Sequence, residues 1–220
     1  MKSESSSLVR ALSFDENAFE MTEAILQHRK WHFLRRKGRL PEVLLVQPRV
    51  FMDARGFFFE SYHQEEFAEA GIREVFRQDN HSQSIRGTLR GLHYQLSFPQ
   101  AKLCRVVHGE VLDVVVDIRR GSARFGKWTC AKLSEKNKLM IYVPVGFAHG
   151  FLVLSETADF LYKCSEVYHP EDERGIAWND PDLAVSWAVS NPLISDKDAG
   201  WPTLAKIPPE ELPPYMPTNR

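Results

Sequence analysis

From about residue 41 to residue 190 the chain is a series of short apolar runs. Glycine, proline or Asn/Asp closes each run before a buried helix could fit. Val111-Leu112-Asp113-Val114-Val115-Val116-Asp117-Ile118 is the plainest of them. β-Branched residues fill it, and Leu112, Val114, Val116 and Ile118 make one apolar face at the two-residue period of a strand. Residues 139–143 and 151–154 are two more runs, and Phe160, Tyr162 and Cys164 alternate with Leu161 and Lys163 in a fourth. His108-Gly109-Glu110, Gly121-Ser122, Pro144-Val145-Gly146 and Pro170-Glu171-Asp172 separate them. Many short strands at this spacing predict an all-β antiparallel sandwich or barrel. One helix fits residues 64–71, stopped by Gly71. Neither GxGxxG nor GxxxxGK[ST] occurs, so no dinucleotide fold or P-loop is indicated, and there is no internal repeat.

The flanks read differently. Residues 1–40 form an extension, helical or else a disordered, solvated appendage. Asp15 is a fair N-cap, Phe14 and Phe19 suit a hydrophobic staple, and Phe19, Leu26 and Phe33 recur every seven residues. Arg29, Lys30, Arg35, Arg36, Lys37 and Arg39 make the segment basic, as in helices that touch membranes or partners. Residues 202–220 hold six prolines and are expected to be extended or frayed. The body between them spans 41–201.

Size and charge remove several function classes. A 220-residue chain can bury roughly 70% of its unfolded surface, so it needs no disulfide or metal to fold. Lys+Arg 28 against Asp+Glu 29 leaves a net charge of -1, with no basic field for nucleic acid or an anionic membrane. No apolar run approaches the ~20 residues of a membrane span. The three cysteines, Cys104, Cys130 and Cys164, form no CxxC, which fits a reducing cytoplasm.

The β body also carries polar clusters that a core does not need: Gln78-Asp79-Asn80-His81-Ser82, Leu89-Arg90-Gly91-Leu92-His93-Tyr94-Gln95, Lys102, Tyr162 and Ser195-Asp196-Lys197-Asp198. Strand parity puts Phe147, His149, Phe151 and Val153 on one face, apolar except for a histidine directed into a cavity. Pro144-Val145-Gly146-Phe147-Ala148-His149 resembles the second motif of the cupins, many of which hold a metal with a His-x-His pair, a glutamate and this later histidine. Here the pair reads His93-Tyr94-Gln95, and glutamine is a poor substitute for imidazole at a transition metal. Two histidines without that ligand set point to proton transfer, because imidazole titrates near neutrality. One parity conflict stands out. Arg90 and His93 lie three apart and would face opposite sides of a regular strand, unless Gly91 marks a bulge.

Taken together, Val50 through Glu60, QDNHS, LRGLHYQ, GEVLDVVVDIR, PVGFAHGF, FLYK, WNDPDL and SDKDA resemble the dTDP-4-dehydrorhamnose 3,5-epimerase family, in order and spacing, through about residues 42–201. The resemblance implies a cupin jelly-roll (double-stranded β-helix) barrel, a homodimer, and catalysis with no metal and no organic cofactor. The implied reaction converts dTDP-4-dehydro-6-deoxy-D-glucose to dTDP-4-dehydro-L-rhamnose. A ketone at C4 acidifies C3 and C5, so inversion needs a base on one face of the sugar and an acid on the other. The family pattern makes His93 the base, Asp198 its orienting carboxylate, Tyr162 the acid and Lys102 the oxyanion partner. It gives Arg55 and Lys197 to the diphosphate, Arg90 to the diphosphate or the O4 oxygen, Gln78 and Asn80 to the nucleotide or sugar, Phe58 to the thymine and Glu60 to a base or sugar donor, while His149 either lines the substrate site or supports His93. A 3- or 5-monoepimerase and a non-catalytic or metal-dependent cupin are the alternatives.

Overall fold

The computed structural model describes residues 19–21, 30–36 and 40–216. Among the described residues, fourteen strands are distributed over two main sheets and a hairpin. The larger sheet contains β1 (Phe19–Met21), β2 (Trp31–Arg36), β3 (Leu44–Pro48), β6 (Gln78–Ile85), β8 (Lys102–His108), β11 (Met140–Val143) and β13 (Thr157–Cys164), in the order β1-β2-β3-β11-β8-β13-β6. The smaller contains β7 (Leu89–Gln95), β9 (Glu110–Asp117), β10 (Trp128–Ser134), β12 (Phe147–Val153) and β14 (Glu173–Gly175), in the order β10-β9-β12-β7-β14. The hairpin pairs β4 (Phe51–Asp53) with β5 (Gly56–Phe58), and the two α-helices among the described residues, α1 (Gln64–Glu69) and α2 (Asp196–Ala199), are short. Between β6 and β14 the chain changes sheet at every step except β9 to β10, which is the winding of a jelly-roll cupin.

The burial pattern explains the sequence pattern. Val111, Val115, Phe147, Phe151 and Val153 of the smaller sheet pack between the sheets against Cys104, Val106 and Phe160 of the larger. Leu112, Val114, Val116 and Ile118 pack on the other face against Leu183, Trp187, Leu204, Ile207 and Leu212. β9 is therefore covered on both sides, which is why it reads as a nearly continuous apolar run. The expected helix is α1, with Ala70 as C-cap and Gly71 beyond it at φ +98.

Both flanks depart from expectation. The heptad of phenylalanine and leucine does not form a helix where the segment is described. Phe19 lies in β1 and Phe33 in β2, while Phe14, Asp15 and Leu26 fall outside the described residues. Nor are residues 31–36 of this segment a solvated appendage. β2 pairs antiparallel with β3, and Trp31 and Phe33 are buried edge-on against Phe67 of α1. A two-residue period of buried Trp31 and Phe33 around exposed His32 is the strand signal that the longer heptad obscured. The C-terminal segment is not frayed through residue 216. Its prolines alternate with apolar residues that cover the smaller sheet, and Arg120 exchanges backbone bonds with Pro213 (2.8 Å) and Tyr215 (2.9 Å).

Candidate active site

The site begins with an irregularity in β7. His149 of β12 pairs with His93, but Phe151 pairs with Arg90, so β7 spends three residues where β12 spends two. This is the bulge that the spacing of Arg90 and His93 requires, and it lets both line one cavity. Gly91 sits in it at φ +120. A Cβ there would stand 2.5 Å from Gly150 Cα and 2.7 Å from the His149 carbonyl oxygen, so glycine at 91 and 150 permits the two strands to approach.

The cavity, about 490 Å³, opens between the sheets. Its lining includes Arg90, His93 and His149 from the smaller sheet, Gln78, Asn80, Lys102 and Tyr162 from the larger, and Lys197 and Asp198 from α2. The Ser195 hydroxyl caps α2 by accepting from the Asp198 N–H at 3.1 Å, which fixes the carboxylate behind His93. Asp198 Oδ1 lies 2.6 Å from His93 Nε2 and also accepts from Trp201 Nε1 at 3.3 Å, while Oδ2 accepts from the Gly91 N–H at 3.4 Å. Burial acts to raise the Asp198 pKa, but the hydrogen bond and charge of His93, with the Gly91 and Trp201 donors, outweigh it and hold the carboxyl below its ordinary range. An ionised Asp198 makes Nε2 the donor. The lone pair of the neutral ring is then on Nδ1, 3.7 Å from Glu173 Oε1.

Tyr162 stands on β13, in the sheet opposite His93. Burial first, then the neighbouring Cys164 and Cys104, pushes its phenol up to about 12, so it remains a proton donor at neutral pH. Lys102 projects from β8; burial raises the pKa of Asp113 and of Cys164, and the Lys102 charge opposes that rise without cancelling it. Arg90 Nε donates to Ser84 Oγ at 3.0 Å. His149 Nε2 lies 3.0 and 2.9 Å from the two oxygens of buried Asp113, so Asp113 does the barrel-internal bonding that its strand position suggests. With Cys104, these two offer donor atoms within 4.8 Å of one another. The imidazole is already taken up by the carboxylate, which makes this a hydrogen-bonded pair rather than an open ligand set.

At the mouth, Gln78 Nε2 donates to Asn80 Oδ1 (2.9 Å) and Gln78 Oε1 accepts from the Tyr168 N–H (2.7 Å). Glu173 accepts from Lys197 (2.7 Å) and from the Tyr168 phenol (2.5 Å). Burial raises the Glu173 pKa, but the bonds from Lys197 and Tyr168 and the proximity of His93 bring it below the ordinary value. Sequence reasoning missed Tyr168 and Glu173. They flank Pro170-Glu171-Asp172, which reads as punctuation, and only the pairing of Glu173 with Gln95 across β14 and β7 brings them to the cavity.

Three expected residues are not at the cavity of this chain. Arg55, at the exposed turn of the β4–β5 hairpin, pairs with Asp53 (2.6 Å), and Phe58 is 69% exposed. Glu60 is held by Lys30 at 2.7 Å.

A family model described as dTDP-4-dehydrorhamnose 3,5-epimerase matches residues 37–206. The dTDP-4-dehydrorhamnose 3,5-epimerase of Pseudomonas aeruginosa is 56% identical over 161 residues, 72% of this chain and 89% of that one. The dTDP-6-deoxy-D-glucose-3,5-epimerase of Legionella pneumophila, solved in complex with dTDP-4-keto-L-rhamnose, is 45% identical with a TM-score of 0.82, covering 85% of this chain and 100% of that one. ChmJ, a 3'-monoepimerase of Streptomyces bikiniensis solved with dTDP-quinovose, is 36% identical with a TM-score of 0.73, covering 79% of this chain and 89% of that one. With most of its length matched, and with a carboxylate-backed histidine facing a protonated tyrosine in a cupin barrel, this chain belongs to the dTDP-4-dehydrorhamnose 3,5-epimerase family of isomerases.

Proposed function

We propose that the protein inverts C3 and C5 of dTDP-4-dehydro-6-deoxy-D-glucose, giving dTDP-4-dehydro-L-rhamnose for dTDP-L-rhamnose synthesis. The observation that carries this reading is the placement of an imidazole and a phenol on opposing sheets of one cavity. Inversion at carbon requires a proton to leave one face and another to arrive at the opposite face. His93 Nδ1 takes the proton, and Asp198 stabilises the imidazolium that forms. General-base help of this kind is worth typically ~10²–10⁴-fold. The electron pair moves into the C4 carbonyl as an enolate, and the Lys102 ammonium is the cation suited to that oxygen. Loss of one such donor costs on the order of 10²–10³ in rate. Tyr162 then returns a proton from the other side. The chemistry assigned to these side chains is proton transfer alone and calls on no metal or organic cofactor.

Arg90 and Lys197 serve the diphosphate in this reading, and Gln78, Asn80 and His149 the sugar and nucleotide; its support is that all five line the cavity. Arg55 and Phe58 serve the same substrate from a second copy of the chain. The support for this homodimer is the hairpin itself: Phe51, Met52, Phe57 and Phe58 are all exposed in the single chain, and Met52 and Phe57 help line a groove of about 930 Å³ in which Leu34, Leu45, Val50 and Leu139 are mixed with Lys132, Glu135 and Lys138. Glu60, clamped to Lys30, braces the connection that follows the hairpin. Free Cys104, Cys130 and Cys164 suit a cytoplasmic setting.

Incubating the dTDP-4-keto sugar with the protein in D₂O tests the reading. Deuterium is expected at both C3 and C5. Label at one carbon only would replace it with monoepimerisation, and no label would remove the acid–base mechanism.

A further inference from the structure

Gln95 occupies the position where many cupins place the second histidine of a metal pair, and it is buried at the edge of the cavity. Its amide spends both donors and its oxygen on two loops. Nε2 donates to the Phe98 carbonyl at 2.7 Å and to the Val167 carbonyl at 3.2 Å, and Oε1 accepts from the His169 N–H at 2.9 Å. Only a planar amide offers two donors and an acceptor in this arrangement. The two residues held on the second loop are the immediate neighbours of Tyr168, whose ring is 47% exposed at the cavity mouth. The loops are joined three times more, once by Gln100 Nε2 donating to the Glu166 carbonyl at 2.8 Å. Phe98 and His169 stack at 3.9 Å with an interplanar angle of 14°, and the Asp172 carboxylate accepts from the Ser97 and Phe98 N–H groups, each at 2.9 Å.

We infer that Gln95 is a positioning residue for nucleotide binding. It clips the loop of residues 96–100 to that of residues 165–172, and so holds the Tyr168 ring where a pyrimidine entering the mouth can lie against it. The inference rests on the proposed dTDP-sugar substrate. It deepens that reading by assigning the lost metal-ligand position a separate task. Because the amide touches neither His93 nor Tyr162 through a hydrogen bond, its effect falls on affinity and not on proton transfer. A flat aromatic face with an anchored hydroxyl is the group suited to a base ring, and its value depends on being held in place before the ligand arrives.

The test compares the parental enzyme with Gln95→Glu and Gln95→Leu. Glutamate keeps the acceptor for His169 but turns an anionic oxygen toward two carbonyls, while leucine removes all three bonds. For both, KM for the dTDP-4-keto sugar and Kd for dTDP alone should rise together by about tenfold, with kcat within about threefold of the parental value. A fall in kcat at unchanged KM, or no change in either, overturns the inference. A second measurement needs no variant. Amide hydrogen exchange on the parental protein should slow at residues 96–100 and 165–172 when dTDP is added, and unchanged exchange there also overturns it. Failure of the substrate reading looks different, because the parental protein would then neither bind dTDP nor turn over the sugar.

Discussion

Asp198→Asn tests the acid–base pair most directly, because the carboxylate accepts on both oxygens. Oδ1 takes His93 Nε2 and Trp201 Nε1, and Oδ2 takes the Gly91 N–H. An asparagine has one acceptor atom for these three donors. If its oxygen faces His93, its NH₂ opposes the Gly91 N–H, and an unpaired buried donor costs about 1–3 kcal/mol. If its NH₂ faces His93, the ring must turn its lone pair toward that amide and carry its proton on Nδ1. The nitrogen facing the sugar can then no longer accept. Either orientation also removes the negative charge that stabilises an imidazolium in the transition state. The corresponding exchange in a serine-protease triad lowers kcat about 10⁴-fold. A fall of about 10³–10⁴ is expected here, equivalent to roughly 4–5.5 kcal/mol of barrier at 1.36 kcal/mol per decade. KM should change little. The assay is deuterium uptake at C3 and C5, followed by NMR, alongside coupled turnover with a rhamnose-forming reductase. Turnover within threefold of the parental enzyme would refute the assignment of His93 as a carboxylate-oriented base. Stability gives an independent reading. The folded-state pKa of Asp198 is depressed, so its stabilisation is complete above the unfolded value of ~3.9 and is lost as pH falls through the folded one. The difference in thermal midpoint between parent and Asp198→Asn should therefore shrink on acidification below pH 4.

Tyr162→Phe should impair inversion more than proton abstraction, so solvent exchange outlasts epimerisation; parental rates of double inversion would remove the tyrosine from the mechanism. Burial lifts this phenol to about 12, so the stability its neutral form carries is complete below the unfolded pKa of ~10 and is lost as pH rises toward 12. Midpoints of the parent and the phenylalanine variant should accordingly diverge only above pH 10, and parallel curves to pH 11.5 would count against the burial argument. Gly91→Ala places a Cβ 2.5 Å from Gly150 Cα at φ +120. It should cost at least about 1–3 kcal/mol in backbone strain and, by moving Arg90 and His93, about 10² in kcat; a fully active, equally stable variant would mean the bulge is dispensable. Trp31→Ala should cost about 3–5 kcal/mol in denaturant unfolding, because the indole is fully buried against Phe67 and donates to the Glu60 carbonyl at 2.9 Å. A change below 1 kcal/mol would return the N-terminal strand to the status of an appendage.

The central strands were legible because their burial is uniform enough to write itself into composition. β9 is covered on both faces and is apolar on both, and β12 alternates around one histidine that does reach the cavity. Even the bulge could be anticipated, since two polar side chains three residues apart and a glycine between them admit few other solutions. The N-terminal segment failed for a specific reason. A seven-residue recurrence of Phe19, Leu26 and Phe33 is compatible with a helix, but Trp31 and Phe33 are two apart. What decides between the periods is pairing with the next strand, β3, from Arg35 against Leu44 to Trp31 against Pro48, which the heptad count does not consider.

The candidate site divides along the same line. His93, Tyr162 and Asp198 come from distant parts of the chain, and each alone reads as an ordinary strand or loop residue; their roles were legible only through the resemblance carried by the motifs together. Tyr168 and Glu173 lie outside those motifs, and a tyrosine and a glutamate beside a proline turn are ordinary until strand pairing carries them to the mouth. Arg55 marks a different limit. Its motif implies substrate contact, whereas in the single chain its guanidinium is 90% exposed and satisfied by Asp53. A motif records that a side chain meets the substrate, not from which copy of the chain it comes. Gln95 marks a third limit. Beside metal-binding cupins it is a missing ligand, and only its three bonds to residues 98, 167 and 169 give the substitution a function of its own. A histidine, with at most two ring N–H groups and no carbonyl, could not have satisfied all three backbone partners.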